Sequence, residues 1–236
     1  MMRQHPSVDL LVFAAHPDDA EIGMGGTILN HTLNGGSAVV CDLTLAEMSS
    51  NGTVELRQQE AAAAAKTLRL SGRVNLALPD RGLKPEAAQL DSIVRVIREY
   101  RPRIVAAPYW QDRHPDHVMC SRMVQEAVFN AKLRRYMPDW PAWTVPRLYF
   151  YFINDTHDSD LIVDVSETHA AKMEALRAYG SQFDTPMPGS ERVETPLTNA
   201  YLERVEMRDR LLGISCGVRY AEGFVCREPV LTDRLL

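Results

Sequence analysis

The sequence predicts a Rossmann-like α/β fold, a doubly wound and mostly parallel sheet with helices on both faces. Short apolar runs alternate along the chain with longer segments of helical spacing. Gly, Pro and Asp stand where the apolar runs end, and these residues are typical of turns and helix caps. Strands that alternate with helices are joined by right-handed crossovers, which make the strands parallel. No linker divides the chain, so we expect one domain over residues 1–236.

Four strand–helix units follow one another in the first half of the chain. Continuous apolar runs predict buried strands at 8–15, 38–45, 74–78 and 103–107. Helical apolar spacing predicts helices at 21–34, 54–70 and 86–100, and a fourth that ends near Arg135. The polar segments HPDD, AEMSSNGT, PDRG and QDRHPDH each follow one of these strands. Because the carboxyl ends of parallel strands lie at one edge of a sheet, we expect the four segments to share that edge.

The second half of the chain is less regular. Strands are predicted at 148–153 and 161–165, a helix at 167–179 and another near 201–212. Between the last two helices lies the loop-rich stretch SQFDTPMPGSERVETPLTNA, residues 181–200. Since a loop of this length is uncommon in a compact domain, we expect a lid or a subunit contact there.

The composition argues against several classes of function. The 236 residues are 45% hydrophobic and 24% charged, with a net charge of −5. Nucleic-acid binders normally present a basic face, so we expect no nucleic-acid partner. No apolar stretch approaches the ~20 residues that cross a bilayer, so we expect no membrane partner. The four cysteines are scattered without a C-x-x-C pair, which predicts reduced packing residues and a cytoplasmic protein.

The tripeptide HPD occurs twice, at residues 16–18 and 114–116. The composition of the chain predicts only about 0.03 occurrences of this tripeptide. Both copies follow predicted parallel strands, and we therefore expect them to be neighbours in space. A single HPD is more simply explained as a turn followed by a helix cap, but the pair favours one shared polar site.

Two imidazoles and a carboxylate at this edge suit a catalytic zinc ion, which takes three protein ligands and keeps a fourth position for water. The ligands that we predict are His16, Asp19 and His117. His16 and Asp19 stand three residues apart at a helix entry, and the second motif can supply the other imidazole. Zinc lowers the pKa of bound water to roughly 7, and other divalent ions also fit such a site.

Three further polar residues remain for catalysis. Asp18, beside the ligands, is predicted to accept the proton of the attacking water. His114, with Asp116 able to orient its ring, is left to hydrogen-bond an oxyanion or to protonate a leaving group.

Other residues of these types are given structural roles. Gly23, Gly25 and Gly26 lack the G-x-G-x-x-G spacing of a dinucleotide loop, and we expect them to pack the helix closely on the sheet. The remaining histidines lack a comparable context and are predicted to lie at the surface: His5, His31, His157 and His169.

These motifs resemble the LmbE/PIG-L family of zinc-dependent N-acetylglucosaminyl deacetylases, through AHPDDAEIGMGGT and the later HPDH. The segments CDLTLAEMSSNGTVELRQQEA, LPDRGL, APYWQDRHPDH, SQFD, ETPLTNAYLE and GVRYAEGF are similar to the bacillithiol-biosynthesis branch. That branch removes acetate from N-acetyl-α-D-glucosaminyl L-malate (GlcNAc-malate). The resemblance extends from about Val8 to about Phe224.

The resemblance also assigns roles to individual residues. The family's zinc ligands fall on His16, Asp19 and His117, its general base on Asp18, and its transition-state histidine on His114, backed by Asp116. The family's arginine in the helix after strand two falls on Arg57, and its tyrosine in the TN-x-Y segment falls on Tyr201. We add Arg113 as a nearby substrate contact. Ala200 stands where the family has glycine. Members of the branch often form hexamers, so the resemblance implies a homo-oligomer.

Three functions are consistent with these residues. The leading one is a deacetylase of GlcNAc-malate with one zinc per chain. The second keeps the zinc chemistry and acts on a chitin-type oligosaccharide or another GlcNAc conjugate. The third is a sugar-binding protein without catalysis, which Asp18 and His114 argue against because a binding site needs no general base.

Overall fold

The computed structural model describes residues 7–184 and 191–229. The described residues form a seven-stranded sheet in the order β3-β2-β1-β4-β5-β7-β6. Its strands are β1 (Leu10–Ala14), β2 (Ala38–Thr44), β3 (Gly72–Leu78), β4 (Ile104–Pro108), β5 (Arg147–Tyr151), β6 (Leu161–Asp164) and β7 (Ala221–Val225). The first five strands are parallel, and β7 lies antiparallel between β5 and β6. The strand order reverses between β1 and β4, the point where open α/β sheets bind ligands.

Helices cover both faces of the sheet, as predicted. They are α1 (Asp19–Leu33), α2 (Val54–Thr67), α3 (Ala87–Tyr100), α4 (Pro115–Ala131), α5 (His169–Arg177), α6 (Gly180–Phe183) and α7 (Tyr201–Ser215). One core cluster contains buried residues of α1, α2, α5 and α7, and the other contains those of α3 and α4. Residues of β1 alternate between the two clusters, because successive side chains of a strand point to opposite faces.

The sequence did not predict β7, which is short and contains Glu222 near its start. A glutamate within a sheet is unusual, and this one is only 2% exposed. Its carboxylate oxygens lie 3.0 and 2.7 Å from the backbone nitrogens of Gly26 and Thr27. The buried Lys172 ammonium lies 2.7 Å from the same carboxylate, and it neutralises the charge.

These contacts explain how α1 continues across an irregular residue. Met24 has non-helical backbone angles, φ −151° and ψ 24°, and backbone N–H groups that lose their helical acceptor near such a kink need another acceptor. Glu222 provides it for Gly26 and Thr27. The contacts of Lys172 with Glu222 and Asp209 then tie α1 to β7, α5 and α7.

The prediction of close packing at the glycines of α1 agrees with the structure. A Cβ atom on Gly23 would lie 2.2 Å from Tyr151 Cδ2, and one on Gly26 would lie 2.7 Å from Val165 Cβ. Cys41 and Cys120 pack in the core as expected, whereas Cys216 is exposed. Within the described ranges, every helix is too short or too polar to cross a bilayer.

Candidate active site

The two HPD segments meet at the sheet edge where β1 and β4 end. Asp19 opens α1 and lies between the two imidazoles that were predicted to share an ion with it. Its Oδ1 is 3.1 Å from Nε2 of His117, and its Oδ2 is 3.4 Å from Nδ1 of His16. All three residues are buried, with His16, Asp19 and His117 only 8%, 3% and 4% exposed. One nitrogen from each ring and both oxygens of the carboxylate therefore converge on a small volume.

The other nitrogen of each imidazole faces a carboxylate. Nδ1 of His117 is 2.9 Å from Asp112 Oδ1, and Nε2 of His16 is 3.2 Å from Asp80 Oδ1 and 3.5 Å from Asp116 Oδ2. Histidines that ligate metals commonly have such partners, which set the tautomer and hold the ring in place. The arrangement leaves His16 Nδ1 and His117 Nε2 on the inside of the cluster.

The charge balance of this cluster suits a cation. Burial opposes a positive charge on His117, but Asp19 and Asp112 outweigh it and raise the pKa of this imidazole to about 9. For His16, burial is likewise outweighed by Asp116, Asp19 and Asp80, and its pKa lies well above the usual value. Since the carboxylates favour positive charge at both rings, a divalent ion held by His16, Asp19 and His117 fits the donor set.

Two other sets of three ligands are also possible on distance alone, and one of them is His16, Asp80 and Asp116. Ligand atoms of His16, His114 and His117 all lie within 4.8 Å of one another. Nδ1 of His114, however, accepts a 3.2 Å hydrogen bond from the backbone N–H of Asp116. Asp19, whose oxygens contact both other rings, suits the ion better than His114 does.

Asp18 lies at the start of α1 in a strained conformation, with φ 117° and ψ −25°. Non-glycine residues in such regions cluster at functional sites. The Asp18 side chain is 4% exposed and accepts a 2.7 Å hydrogen bond from Arg57 Nη2. Burial raises the pKa of Asp18 to about 7 against the lowering effect of Arg57. A carboxyl group with this pKa is suited to accept and return a proton near neutral pH.

His114 is held in one neutral tautomer by the same hydrogen bond from the Asp116 amide. Because Nδ1 accepts, the ring hydrogen resides on Nε2. Burial and the neighbouring His117 and His16 lower the pKa of His114 to about 4. The sequence interpretation gave Asp116 the task of orienting this ring, and the contact is made by its backbone. The Asp116 carboxylate instead accepts two hydrogen bonds from Arg81, one from the Arg81 backbone nitrogen at 2.8 Å and one from the Arg81 guanidinium at 2.9 Å.

A cavity of about 520 Å³ contains these groups. Arg57, Arg113 and Tyr201, the predicted substrate contacts, all line it. The Arg57 guanidinium donates hydrogen bonds to Asp18 and to the Pro17 carbonyl. Its Nη1 atom is buried without a partner among the described residues. Arg113 is exposed. Its guanidinium therefore remains available to a ligand.

The long loop before α7 contributes to the same cavity. Thr195, Pro196 and Leu197 line it, and Asn51 holds the loop by exchanging two 2.9 Å hydrogen bonds with the backbone of Val193. Residues 185–190 of the predicted lid or subunit contact lie outside the described residues. Ala200, at the end of the loop, has φ 53°, a left-handed conformation that explains a preference for glycine.

Several residues of the site were not assigned a role from sequence. Asp80 and Arg81 belong to the PDRG segment and Asp112 to QDRHPDH, which were placed at this edge, so their proximity to the motifs was the available signal. Asn154 follows β5 and had no motif of its own.

Three of the four histidines predicted to lie at the surface are described: His169 is buried, and His31 and His157 are half-buried. The surface position predicted for His169 is wrong, because it is 3% exposed and stacks on Tyr220 at a ring distance of 3.7 Å. His5 lies outside the described residues.

Comparison of the sequence with known proteins identifies one family and several relatives. The family model described as "PIG-L: GlcNAc-PI de-N-acetylase" matches residues 11–128. A diacetylchitobiose deacetylase of Thermococcus kodakarensis is 31% identical over 91% of this chain and 81% of its own length. A probable N-acetyl-α-D-glucosaminyl L-malate deacetylase of Bacillus subtilis is 29% identical over 78% of this chain and 85% of its own.

Among solved structures, a conserved protein of Thermus thermophilus superposes with a TM-score of 0.88 at 38% identity. The superposition covers 97% of this chain and 99% of the other. The α/β architecture predicted from the sequence is thereby confirmed.

Proposed function

The chain belongs to the PIG-L family of deacetylases, and on that premise we propose that it hydrolyses the acetamide of a GlcNAc conjugate, most specifically GlcNAc-malate. The products are acetate and the free amine. The observation that carries the proposal is the convergence of Asp19 with His16 and His117, beside the buried Asp18 and the neutral His114, in one cavity. A sugar-binding protein without catalysis would need neither a carboxyl of pKa about 7 nor the strained backbone of Asp18.

We assign one zinc ion per chain to His16 Nδ1, the Asp19 carboxylate and His117 Nε2. Two imidazoles and one carboxylate are a ligand set of catalytic zinc. When bound, the ion would lower the pKa of water and polarise the acetyl carbonyl. Asp112 and Asp80, which contact the outer nitrogens of the two rings, would keep the inner nitrogens unprotonated and aimed at the ion.

The protein's own groups then divide the proton transfers and the charge stabilisation. Asp18 accepts the proton of the attacking water, and its pKa of about 7 allows it to return that proton to the departing amine. His114 donates its Nε2 hydrogen to the oxyanion that develops from the carbonyl. With Nδ1 engaged by the Asp116 amide, the neutral ring has no second hydrogen to give, which favours Asp18 over His114 as the acid.

The preference for malate rests on the cations at the cavity. Two carboxylates on the substrate require cations or strong donors when water is removed. Arg113 lines the cavity and is exposed, and Arg81 also lines it while its guanidinium contacts Asp116. These cations stand in a chain whose net charge is −5. Arg57 adds one buried nitrogen without a described partner.

The test is acetate release from GlcNAc-malate, GlcNAc and N,N′-diacetylchitobiose, with and without a chelator. We expect the highest kcat/KM on GlcNAc-malate and loss of activity with the chelator. Elemental analysis should find one zinc per chain, and His117→Ala should reduce this content sharply. An equal rate for all three compounds would contradict the malate assignment, and full metal content in His117→Ala would remove that residue from the ligand set.

A chitin-type oligosaccharide is the second candidate substrate. The relative from Thermococcus kodakarensis, 31% identical, is a diacetylchitobiose deacetylase. A groove of about 810 Å³ along α7 shares Ile153, Asn154 and Tyr201 with the candidate site, and it offers room for a second sugar. Faster hydrolysis of the chitobiose than of GlcNAc-malate would favour this alternative.

We also propose that the protein is a homo-oligomer, with a hexamer as the state implied by the resemblance. Met207, Leu211 and Ile214 on α7 are 69%, 71% and 59% exposed, and their spacing places them on one helix face. An exposed apolar stripe of this kind is typical of a protein interface. Light scattering coupled to size-exclusion chromatography should give a mass above that of one chain.

A further inference from the structure

Asn154 connects the metal-ligand side of the cavity to Tyr201. Its backbone nitrogen is 3.1 Å from Asp112 Oδ2, and its side-chain Nδ2 is 2.9 Å from Asp112 Oδ1. The same Oδ1 accepts the backbone N–H of His114 at 2.7 Å. Both carboxylate oxygens of Asp112 thus receive backbone N–H groups and act as acceptors. The Asn154 amide must therefore present its NH₂ group to Asp112, because only that end can donate.

This orientation determines what Tyr201 meets. With NH₂ toward Asp112, Asn154 turns its Oδ1 to Tyr201, and the two oxygens are 3.1 Å apart. Within residues 7–184 and 191–229, the other hydrogen-bond partner of the Tyr201 hydroxyl is the backbone carbonyl of Ile153 at 3.5 Å. Both neighbours are acceptors only. The single hydroxyl hydrogen of Tyr201 is consequently used within the protein, and its lone pairs remain for a ligand.

We propose that Asn154 is a positioning residue that makes Tyr201 a hydrogen-bond acceptor toward the substrate. The group that Tyr201 recognises is then a donor, either a sugar hydroxyl or the acetamide N–H. This inference rests on the proposed deacetylation of a GlcNAc conjugate and specifies how the sugar is held. It also excludes Tyr201 as the donor to the oxyanion, since that role would require the hydrogen that Asn154 and Ile153 receive.

A recognition contact of this kind acts on the ground state as much as on the transition state. Its removal should therefore raise KM or Kd and leave kcat nearly unchanged, whereas loss of an oxyanion donor lowers kcat. A neutral hydrogen bond changes affinity by about threefold to tenfold. The two roles of Tyr201 can thus be separated by one conservative substitution.

The first experiment measures Tyr201→Phe in two backgrounds. In otherwise wild-type protein we expect KM for GlcNAc to rise about threefold to tenfold with kcat within twofold. In an Asp18→Asn background, calorimetric titration with GlcNAc should show the same rise in Kd. Tyr220→Phe, which removes a hydroxyl bonded to Glu206 on the surface, is the matched control and should change neither value. A fall in kcat with unchanged Kd would overturn the proposal.

The second experiment tests whether Asn154 acts through Tyr201. Asn154→Ala should raise Kd as Tyr201→Phe does, and it should add little when Tyr201 is already Phe. Zinc content, measured for each variant, shows whether the loss of contact with Asp112 has disturbed His117. Independent effects of the two substitutions, with full zinc content, would contradict the coupling.

The outcomes separate this inference from the proposed function. If the wild-type protein releases no acetate but the Asp18→Asn protein binds GlcNAc with a Tyr201-dependent Kd, deacetylation fails and the role of Tyr201 stands. If acetate is released and Tyr201→Phe lowers only kcat, deacetylation stands and this inference fails. Absence of both acetate release and GlcNAc binding would overturn both.

Discussion

Arg57 donates a 2.7 Å hydrogen bond to the carboxylate of Asp18, and the two side chains are only 5% and 4% exposed. The same guanidinium donates to the Pro17 carbonyl at 2.9 and 2.6 Å. One residue of α2 therefore holds both the backbone and the carboxylate of the first HPD segment. This contact makes Arg57 important to Asp18 whether or not it also touches the substrate.

We predict that Arg57→Gln moves the acid limb of the pH profile of kcat/KM to higher pH. A general base is active when ionised, so activity is lost as the pH falls through its pKa. Burial raises the pKa of Asp18 to about 7 while Arg57 opposes that rise, so removal of Arg57 must raise the pKa further. A rise of about one unit would lower the ionised fraction at neutral pH roughly fivefold.

The matched control for Arg57 is Lys66→Gln, a loss of positive charge at an exposed position of the same helix. Its profile should overlay that of the wild-type protein. An unchanged acid limb in Arg57→Gln, with only KM raised, would mean that Arg57 serves substrate binding and not Asp18.

Asp18→Asn should retain metal and lose most activity. An amide cannot accept the proton of the attacking water, and removal of a general base commonly lowers the rate by about 10²–10⁴. Metal content and kcat, measured on the same preparation, test both halves of this prediction. Asp139→Asn, at an exposed position, is the control. A nearly normal kcat would reduce Asp18 to a structural role at the start of α1.

Arg113→Ala should lower kcat/KM for GlcNAc-malate more than for GlcNAc. The exposed guanidinium lines the cavity, and a charged hydrogen bond to a malate carboxylate that keeps some solvent should change the ratio about fivefold to tenfold. Arg122→Ala removes an exposed charge from α4 and should leave the ratio unchanged. Equal losses on both substrates would instead place Arg113 at the reacting centre.

Ala200→Gly should stabilise the protein by about 1 kcal/mol. Ala200 has φ 53°, and an L-residue in this left-handed region costs roughly 1–2 kcal/mol. Glycine removes that strain, but it loses more backbone entropy on folding, which offsets part of the gain. The control Ala62→Gly, at an exposed helical position of α2, should destabilise by about 1 kcal/mol. Urea denaturation measures both changes, and a lower midpoint for Ala200→Gly would contradict the account.

Lys172→Met should destabilise the protein by about 3–5 kcal/mol, because it leaves the buried carboxylate of Glu222 without its cation, while Asp209 keeps the Arg208 guanidinium. The Lys172 ammonium is fully buried and lies 2.5 Å from Asp209 and 2.7 Å from Glu222. Lys66→Met, at an exposed site, should change the free energy of unfolding by less than about 0.5 kcal/mol.

The deficit of Lys172→Met should also depend on pH. Although burial opposes ionisation, Lys172 and Arg208 lower the pKa of Asp209. The stability that this ion pair contributes is present above the ordinary carboxyl pKa and is lost as the pH falls through the lowered one. In the variant the carboxylates take up protons more readily, so its deficit should shrink between neutral and acid pH. A constant deficit across this range would argue that the lost contact is apolar packing.

The sequence alone determined the order of the first strands and helices and the edge of the sheet where the polar segments meet. Helical and strand periods are local properties, and the parallel topology follows once they alternate. The two HPD segments could be placed at one edge for the same reason, since the carboxyl ends of parallel strands lie together. The structure then showed that β1 and β4 are neighbours in the sheet. The roles assigned to His16, Asp19 and His117 are consistent with the distances and stay predictions until metal is measured.

Only the tertiary structure decided which atoms face one another. Asp112 contacts His117 five residues away, but Asn154 reaches Asp112 across 42 positions and Tyr201 reaches Asn154 across 47. The same holds for β7, whose Glu222 is tolerated in the core because Lys172 lies 50 residues away in sequence and beside it in space. Periodicity encodes which face of an element is buried. It does not encode the hydrogen-bond partner of a buried polar atom, which depends on where packing places residues distant in the chain.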